Sequence, residues 1–176
     1  MTAITRIPQN PNYLQATKYL LTFDRIGSTQ YFCQSVNIPG VSIGQAPINT
    51  PMLDIFAPGN KITYSQLNID FAVDEALDSW QQIHNWFRSI ASPEGFEERK
   101  RLSNAQNQYK AYGEKSYSDA TLTVLNNLNN PVVRVRFFNV FPISLSDIQF
   151  DTKMSADDIV FGSATFMFDY HNFEPV

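Results

Sequence analysis

From Leu67 to Val73 every second residue is large and apolar: Leu67, Ile69, Phe71 and Val73 alternate with Asn68, Asp70, Ala72 and Asp74. Successive side chains of a strand point to opposite faces, so a two-residue period marks a strand buried on one side. Immediately afterwards the period changes. Ala76, Trp80, Ile83, Phe87 and Ile90 are spaced four, three, four and three apart, which is the apolar face of one amphipathic helix. Asp74 is placed to cap its first turn, and Pro93 with Gly95 to close it. Upstream, Ile62 and Tyr64 carry the opposite parity, so a bulge or change of face is expected near Ser65-Gln66.

The same reading extends along the chain. Tyr19-Leu20-Leu21-Thr22-Phe23, within Lys18–Ile26, predicts a strand, Gly27-Ser28 a turn and Thr29–Val36 a second strand, together a hairpin. Ala120, Leu122 and Val124 alternate within 117–125. Asn126 to Pro131 then form a turn, and 132–141 pairs back through Val133, Val135 and Phe137 until Pro142 breaks the run. The last strand is predicted over 159–170, with Ala164, Phe166, Phe168 and Tyr170 on one face and Ser163, Thr165, Met167 and Asp169 on the other. The sum is a mainly β protein, an antiparallel β-sandwich or barrel of about seven strands with one flanking α-helix. A length of 176 residues suits one such domain, over 18–176, preceded by an extended arm over 1–17 and carrying a long polar loop over 91–115.

Residues 40–60 fit none of these strands. Gly40, Gly44, Pro47, Pro51, Pro58 and Gly59 punctuate them, which excludes a central strand of a monomer. Between them stand Val41, Ile43, Ile48, Met52, Leu53, Ile55 and Phe56, too much apolar surface for a solvated loop. The segment reads as an arm or long hairpin whose apolar residues are buried on another subunit, against the alternative of an Ω-loop packed on its own domain. Composition points the same way. Only 17% of the residues are charged, against a typical ~25%, as expected of a surface that is normally covered.

No catalytic constellation emerges, and no cofactor or metal is expected. His84 lies beside the apolar face of the helix and reads as a packing residue; His171 lies past the last predicted strand and reads as solvated. His171 and Glu174 have a helical ligand spacing, but Pro175 opposes a helix there. Asp74-Glu75, Glu97-Glu98 and Asp157-Asp158 are adjacent acids that point apart in extended chain, unlike an acid/base pair on one substrate. Cys33 is alone, so no internal disulfide is possible, and it has no basic neighbour to activate it. A net charge of −4 and the isolated Arg134, Arg136, Phe137, Phe138 cluster argue against gripping nucleic acid. Met1 to Arg6 lacks the apolar run of a signal peptide and no stretch is long enough to span a bilayer, so synthesis in the cytoplasm without membrane anchoring is expected.

The order of these features resembles the tail-tube fold shared by contractile-tailed bacteriophage tubes and the Hcp-type tubes of secretion machines. The resemblance rests on Tyr31 to Gly40, where a strand ends in Pro-Gly. It continues through Lys61-Ile62-Thr63-Tyr64 and Leu67-Asn68-Ile69-Asp70-Phe71, and through Val73-Asp74-Glu75 entering the helix with Trp80 and Trp86. It ends with Phe138-Asn139-Val140-Phe141-Pro142 before Leu145-Ser146-Asp147-Ile148, and the terminal Phe166-Met167-Phe168-Asp169-Tyr170. It covers roughly residues 18–172. It implies a structural protein of the virion: a six-membered ring whose subunits share an inner β-barrel, stacked into a tube. DNA passes through that tube without specific binding, and sheath, baseplate or neck proteins lie around it. Asn68, Asp70, Ser163, Thr165 and Asp169 would then face either the lumen or the outside. The 91–115 loop and the Pro-containing arm depart from a minimal repeated subunit, leaving both the repeated tube protein and a baseplate-proximal initiator open. A tube protein of a secretion system and a monomeric ligand-binding β-barrel, with 40–60 as its lid, are the other readings.

Overall fold

A computed structural model describes residues 12–26, 33–95, 116–153, 155 and 158–175. Nine strands and one helix follow in order among these residues: β1 (Tyr19–Phe23), β2 (Cys33–Val36), β3 (Val41–Asn49), β4 (Asp54–Tyr64), β5 (Leu67–Ala72), α1 (Asp78–Ala91), β6 (Ser118–Leu125), β7 (Pro131–Leu145), β8 (Phe161–Met167) and β9 (Tyr170–Pro175). All pairings are antiparallel. One layer runs β1-β6-β7-β9 and the other β7-β8-β5-β2, with β7 shared between them. The mainly β sandwich with one helix read from the sequence is what the chain forms.

The long β7 turns the corner between the layers. Over 133–138 it lies between β6 and β9, and over 141–145 it pairs with β8. At the bend the ladder to β6 slips between Ser118 and Ala120, and Asn139 sits at a left-handed φ of 56°. Two residues opposing one make a β-bulge, which bends the strand and sharpens its twist. Asn139 holds the bend through its side-chain amide, which donates to Asp169 Oδ2 at 2.6 Å. Its backbone N–H donates to Asp119 Oδ1 at 3.3 Å.

Between the layers Phe71, Phe137 and Phe166 are fully buried, with Leu21, Leu67, Ile69, Leu122 and Val135 around them. Burying each such side chain contributes about 1.5–3 kcal/mol relative to leaving it exposed. The helix closes the open side of this core. Ile83 and Trp86 are buried, while Trp80, Phe87 and Ile90 pack half-buried against the cluster. Two indole N–H groups fasten α1 to the sandwich: Trp86 donates to the Ser116 carbonyl at 2.9 Å and Trp80 to that of Ser146 at 3.1 Å. Asp74 caps the helix as expected, accepting from the backbone N–H groups of Asp78 and Ser79 at 3.1 and 3.0 Å.

Several expectations are corrected. β1 and β2 are not a hairpin: β1 pairs with β6 and β2 with β5, on different layers. Ile26, just after β1, is buried; residues 29–32 of the predicted second strand lie outside the described residues. Ala76 is exposed and precedes the helix, because Leu77 takes a left-handed φ of 59° and the Asp74 cap starts α1 at Asp78. Pro142 does not break β7. It pairs with Phe166 at a stretch where β8 is the only neighbour among the described residues, so its missing N–H costs no second ladder bond. Lys61–Glu75 is two strands, interrupted at Ser65-Gln66. The last predicted strand is also two: the chain turns at Phe168-Asp169, where the Asp169 N–H donates to the Phe138 carbonyl at 3.0 Å, and β9 doubles back onto β7. His171 is therefore buried rather than solvated, opposite Phe137.

Candidate assembly surfaces

Among the described residues β3 and β4 pair only with each other, forming a hairpin that leaves the sandwich. Their first section matches Val41 with Tyr64 and Ile43 with Ile62; the outer section matches Ala46 with Ala57 and Ile48 with Ile55. Residues paired across an antiparallel ladder share a face, so Val41, Ile43, Ile62 and Tyr64 lie on one face, and Ala46, Ile48, Ile55 and Ala57, at the opposite parity, on the other. Between the sections Gly44 opposes the longer run 59–61, an irregularity in the ladder that brings Gly59 against the Gly44 backbone. At the tip the Thr50 hydroxyl bonds the Leu53 carbonyl and accepts from the Leu53 N–H.

Every residue of β3 is exposed. The seven apolar residues predicted to meet another subunit all stand in water here. Met52 is 99% exposed, Leu53 70% and Phe56 59%, with Val41, Ile43, Ile48 and Ile55 each more than half exposed. The arm is thus a protruding hairpin and not an Ω-loop folded on its own domain. At its base the Ser65 N–H donates to the Gly40 carbonyl at 2.9 Å, and the Tyr64 ring meets Phe168 and His171 at 5.6 and 5.0 Å.

His171 sits among Tyr64, Phe137, Phe168 and Phe173, with ring centroids 5.0 to 5.8 Å from its own, and its Nδ1 is buried without a hydrogen-bond partner. Burial holds its pKa below the usual value, because the charged form loses hydration in an apolar cage. His84 stacks on Trp80 at 5.1 Å. Burial pushes the Cys33 thiol up to about 11, which leaves it protonated and poorly nucleophilic at neutral pH. Among the described residues no three His, Cys, Asp or Glu side chains are placed to hold a metal; Glu97, Glu98 and Asp157 lie outside them.

The polar residues assigned to a lumen or outer face come together in part. Asn68 pairs with Thr165 and Asp70 with Ser163, on the side of β5 and β8 opposite to the core. Asp70 accepts the Ser35 hydroxyl at 2.6 Å. Asp169 lies apart, at the β7 corner. Beside this polar face is a cleft of about 900 Å3 that also presents Asp147, Asp151, Asp158, Phe150 and Phe161. Sequence reasoning missed a second concavity, a groove of about 470 Å3 formed by the stretch before β1, Ile38, the β6–β7 turn and β9. Its residues are scattered along the chain, so no local pattern announces it.

A β-sandwich whose β7 is shared by both layers, closed by one helix and projecting an apolar hairpin, is a domain of the tail-tube type. The phage tail tube protein family matches residues 9–174, and the chain belongs to it. It is 25% identical over 173 residues to the tail tube terminator protein of Enterobacteria phage T4, covering 93% of this chain and 90% of that one. Its fold matches the tube terminating cap of the anti-feeding prophage with a TM-score of 0.65 at 16% identity, over 99% of this chain and 100% of the other. It also matches a structure of the sheath/tube terminator of an extracellular contractile injection system at 0.58 and 16% identity, over 94% and 99%.

Proposed function

We propose that this chain is a tail tube terminator: a structural subunit that assembles into a six-membered ring at the end of a contractile phage tail tube, leaving a channel for DNA. The observation that carries the reading is the likeness to the T4 tube terminator along almost the full length of both chains, together with the fold likeness to a tube terminating cap. This position is neither of the two left open from the sequence, repeated subunit or baseplate-proximal initiator. The surface supports assembly. A hairpin exposing Met52, Leu53 and Phe56 is costly in water unless a partner covers it. Among the described residues β1, β2 and β9 each have an unpaired edge, which neighbours in a closed ring can cover.

In this ring the polar face of Asn68, Asp70, Ser163 and Thr165 lines the channel, where a carboxylate repels rather than grips phosphate. The chain acts without cofactor or turnover, and sheath and neck proteins are its outer partners. The test is the mass of the purified protein in solution, followed by electron microscopy. Rings with a central channel are expected. A monomer at all concentrations that binds a small apolar ligand overturns the reading in favour of a ligand-binding barrel.

A further inference from the structure

The groove beside β9 is apolar and carries no charge. Tyr13, Leu14, Ile38, Leu128, Val132 and Phe173 form its exposed apolar lining, and the other side chains around it are aliphatic or uncharged amides. The hairpin has the same character. Between Val41 and Asn60 its single charged residue is Asp54. We propose that the groove receives the tip of the β3–β4 hairpin, Met52-Leu53, from a second copy of this chain. The inference rests on the ring reading above and names the surface on which that ring is built.

Three observations commit the groove to this occupant. First, a chain's own tip cannot fill it. Ile38 lies three residues before Val41, where β3 leaves the sandwich, and the nine residues of β3 carry the tip roughly 30 Å away at ~3.3 Å per residue. Second, charge separates the two concavities. The larger cleft presents Asp70, Asp147, Asp151 and Asp158 with no basic residue in its lining, and would repel the carboxylate of Asp54 beside the tip; the groove presents no acid. Third, Asn127 and Gln15 at the groove supply amide groups for the polar backbone of an incoming turn, whereas Asn126 Oδ1 is taken by the Leu128 and Asn130 N–H groups of its own turn. A tip bound at the next copy's hairpin base is a heterologous contact, the kind that generates rings when its rotation closes.

The test uses the full chain in a Cys33→Ser background, with Met52→Cys in one preparation and Leu128→Cys in another. Both sites are largely exposed, at 99% and 79%, so neither change disturbs the core. After mixing and mild oxidation, covalent dimers of the two variants are expected, and a ladder ending at the ring number when both cysteines are on one chain. Met52→Cys mixed with Phe150→Cys, which samples the acidic cleft, is expected to give none. Leu128→Arg, which puts a charge in the groove, should weaken ring assembly roughly tenfold or more at an unchanged melting temperature. Rings without the Met52–Leu128 bridge, or bridging to position 150 instead, overturn the groove assignment and leave the ring standing. Absence of rings under every condition overturns both.

Discussion

Gly59 lies so close to Gly44 that a Cβ at position 59 would fall 2.5 Å from the Gly44 carbonyl oxygen and 2.9 Å from its carbon. Both partners are backbone, so nothing can move aside without opening the ladder. This contact fixes where the hairpin's inner and outer sections join, and therefore how the apolar tip is aimed. Only glycine fits.

Gly59→Ala is accordingly expected to distort the hairpin while leaving the core intact, because no residue between Val41 and Thr63 belongs to the buried cluster. Thermal unfolding should change little, and ring formation, read by light scattering, should fall. Undiminished assembly would show that the hairpin's aim is unimportant.

Removing residues 42–57 altogether should give a folded β monomer that makes neither rings nor stacks. Circular dichroism reports the fold and sedimentation the assembly. Assembly at the normal level would refute the interface role of Ile43, Ile48, Met52, Leu53, Ile55 and Phe56.

At the β7 corner, Asn139→Ala loses the bond to Asp169 and places a Cβ without local hydrogen bonding at a left-handed φ. A loss of about 1–3 kcal/mol in denaturant unfolding is expected. Asn139→Gly should recover part of it, since glycine accepts that conformation without strain. Equal losses from the two variants would remove the backbone explanation.

His171 makes stability depend on pH. Its pKa in the folded chain is below the ordinary 6.5, so the unfolded chain binds more protons as pH falls through that region. Stability is then full above about pH 6.5 and declines below it. Asp74 adds a decline at more acid pH, since the Ser79 N–H, the Ser79 hydroxyl and the Asp78 N–H hold its carboxyl below its usual range. His171→Phe should flatten the first decline and leave the second. An unchanged profile from about pH 5 to about pH 7 would contradict the buried-imidazole account.

What could be read from sequence follows from how each strand is covered. β5 and β6 each bury one face, so Leu67, Ile69 and Phe71, and Ala120 and Leu122, announce them by alternation. The Asp74 cap was legible because it is local, and so was the apolar excess of 40–60, because it is a property of composition alone. Pairing was not legible. Alternation continues from Ala164 through Phe168 to Tyr170 across a turn made by a tertiary bond to Phe138, so β9 was hidden and His171 was placed in solvent. The groove was hidden for the same reason. Leu14, Ile38, Leu128 and Phe173 share no local pattern, and only the folded topology brings them together.

The most direct measurement is a cryo-electron microscopy reconstruction of the assembled tail, with this chain located by its fold. The account predicts one ring of six copies at an end of the tube, hairpin tips covered by neighbouring copies, and Asn68 and Asp70 on the channel wall. Copies repeated along the whole tube, or a tail that lacks the chain, would contradict it.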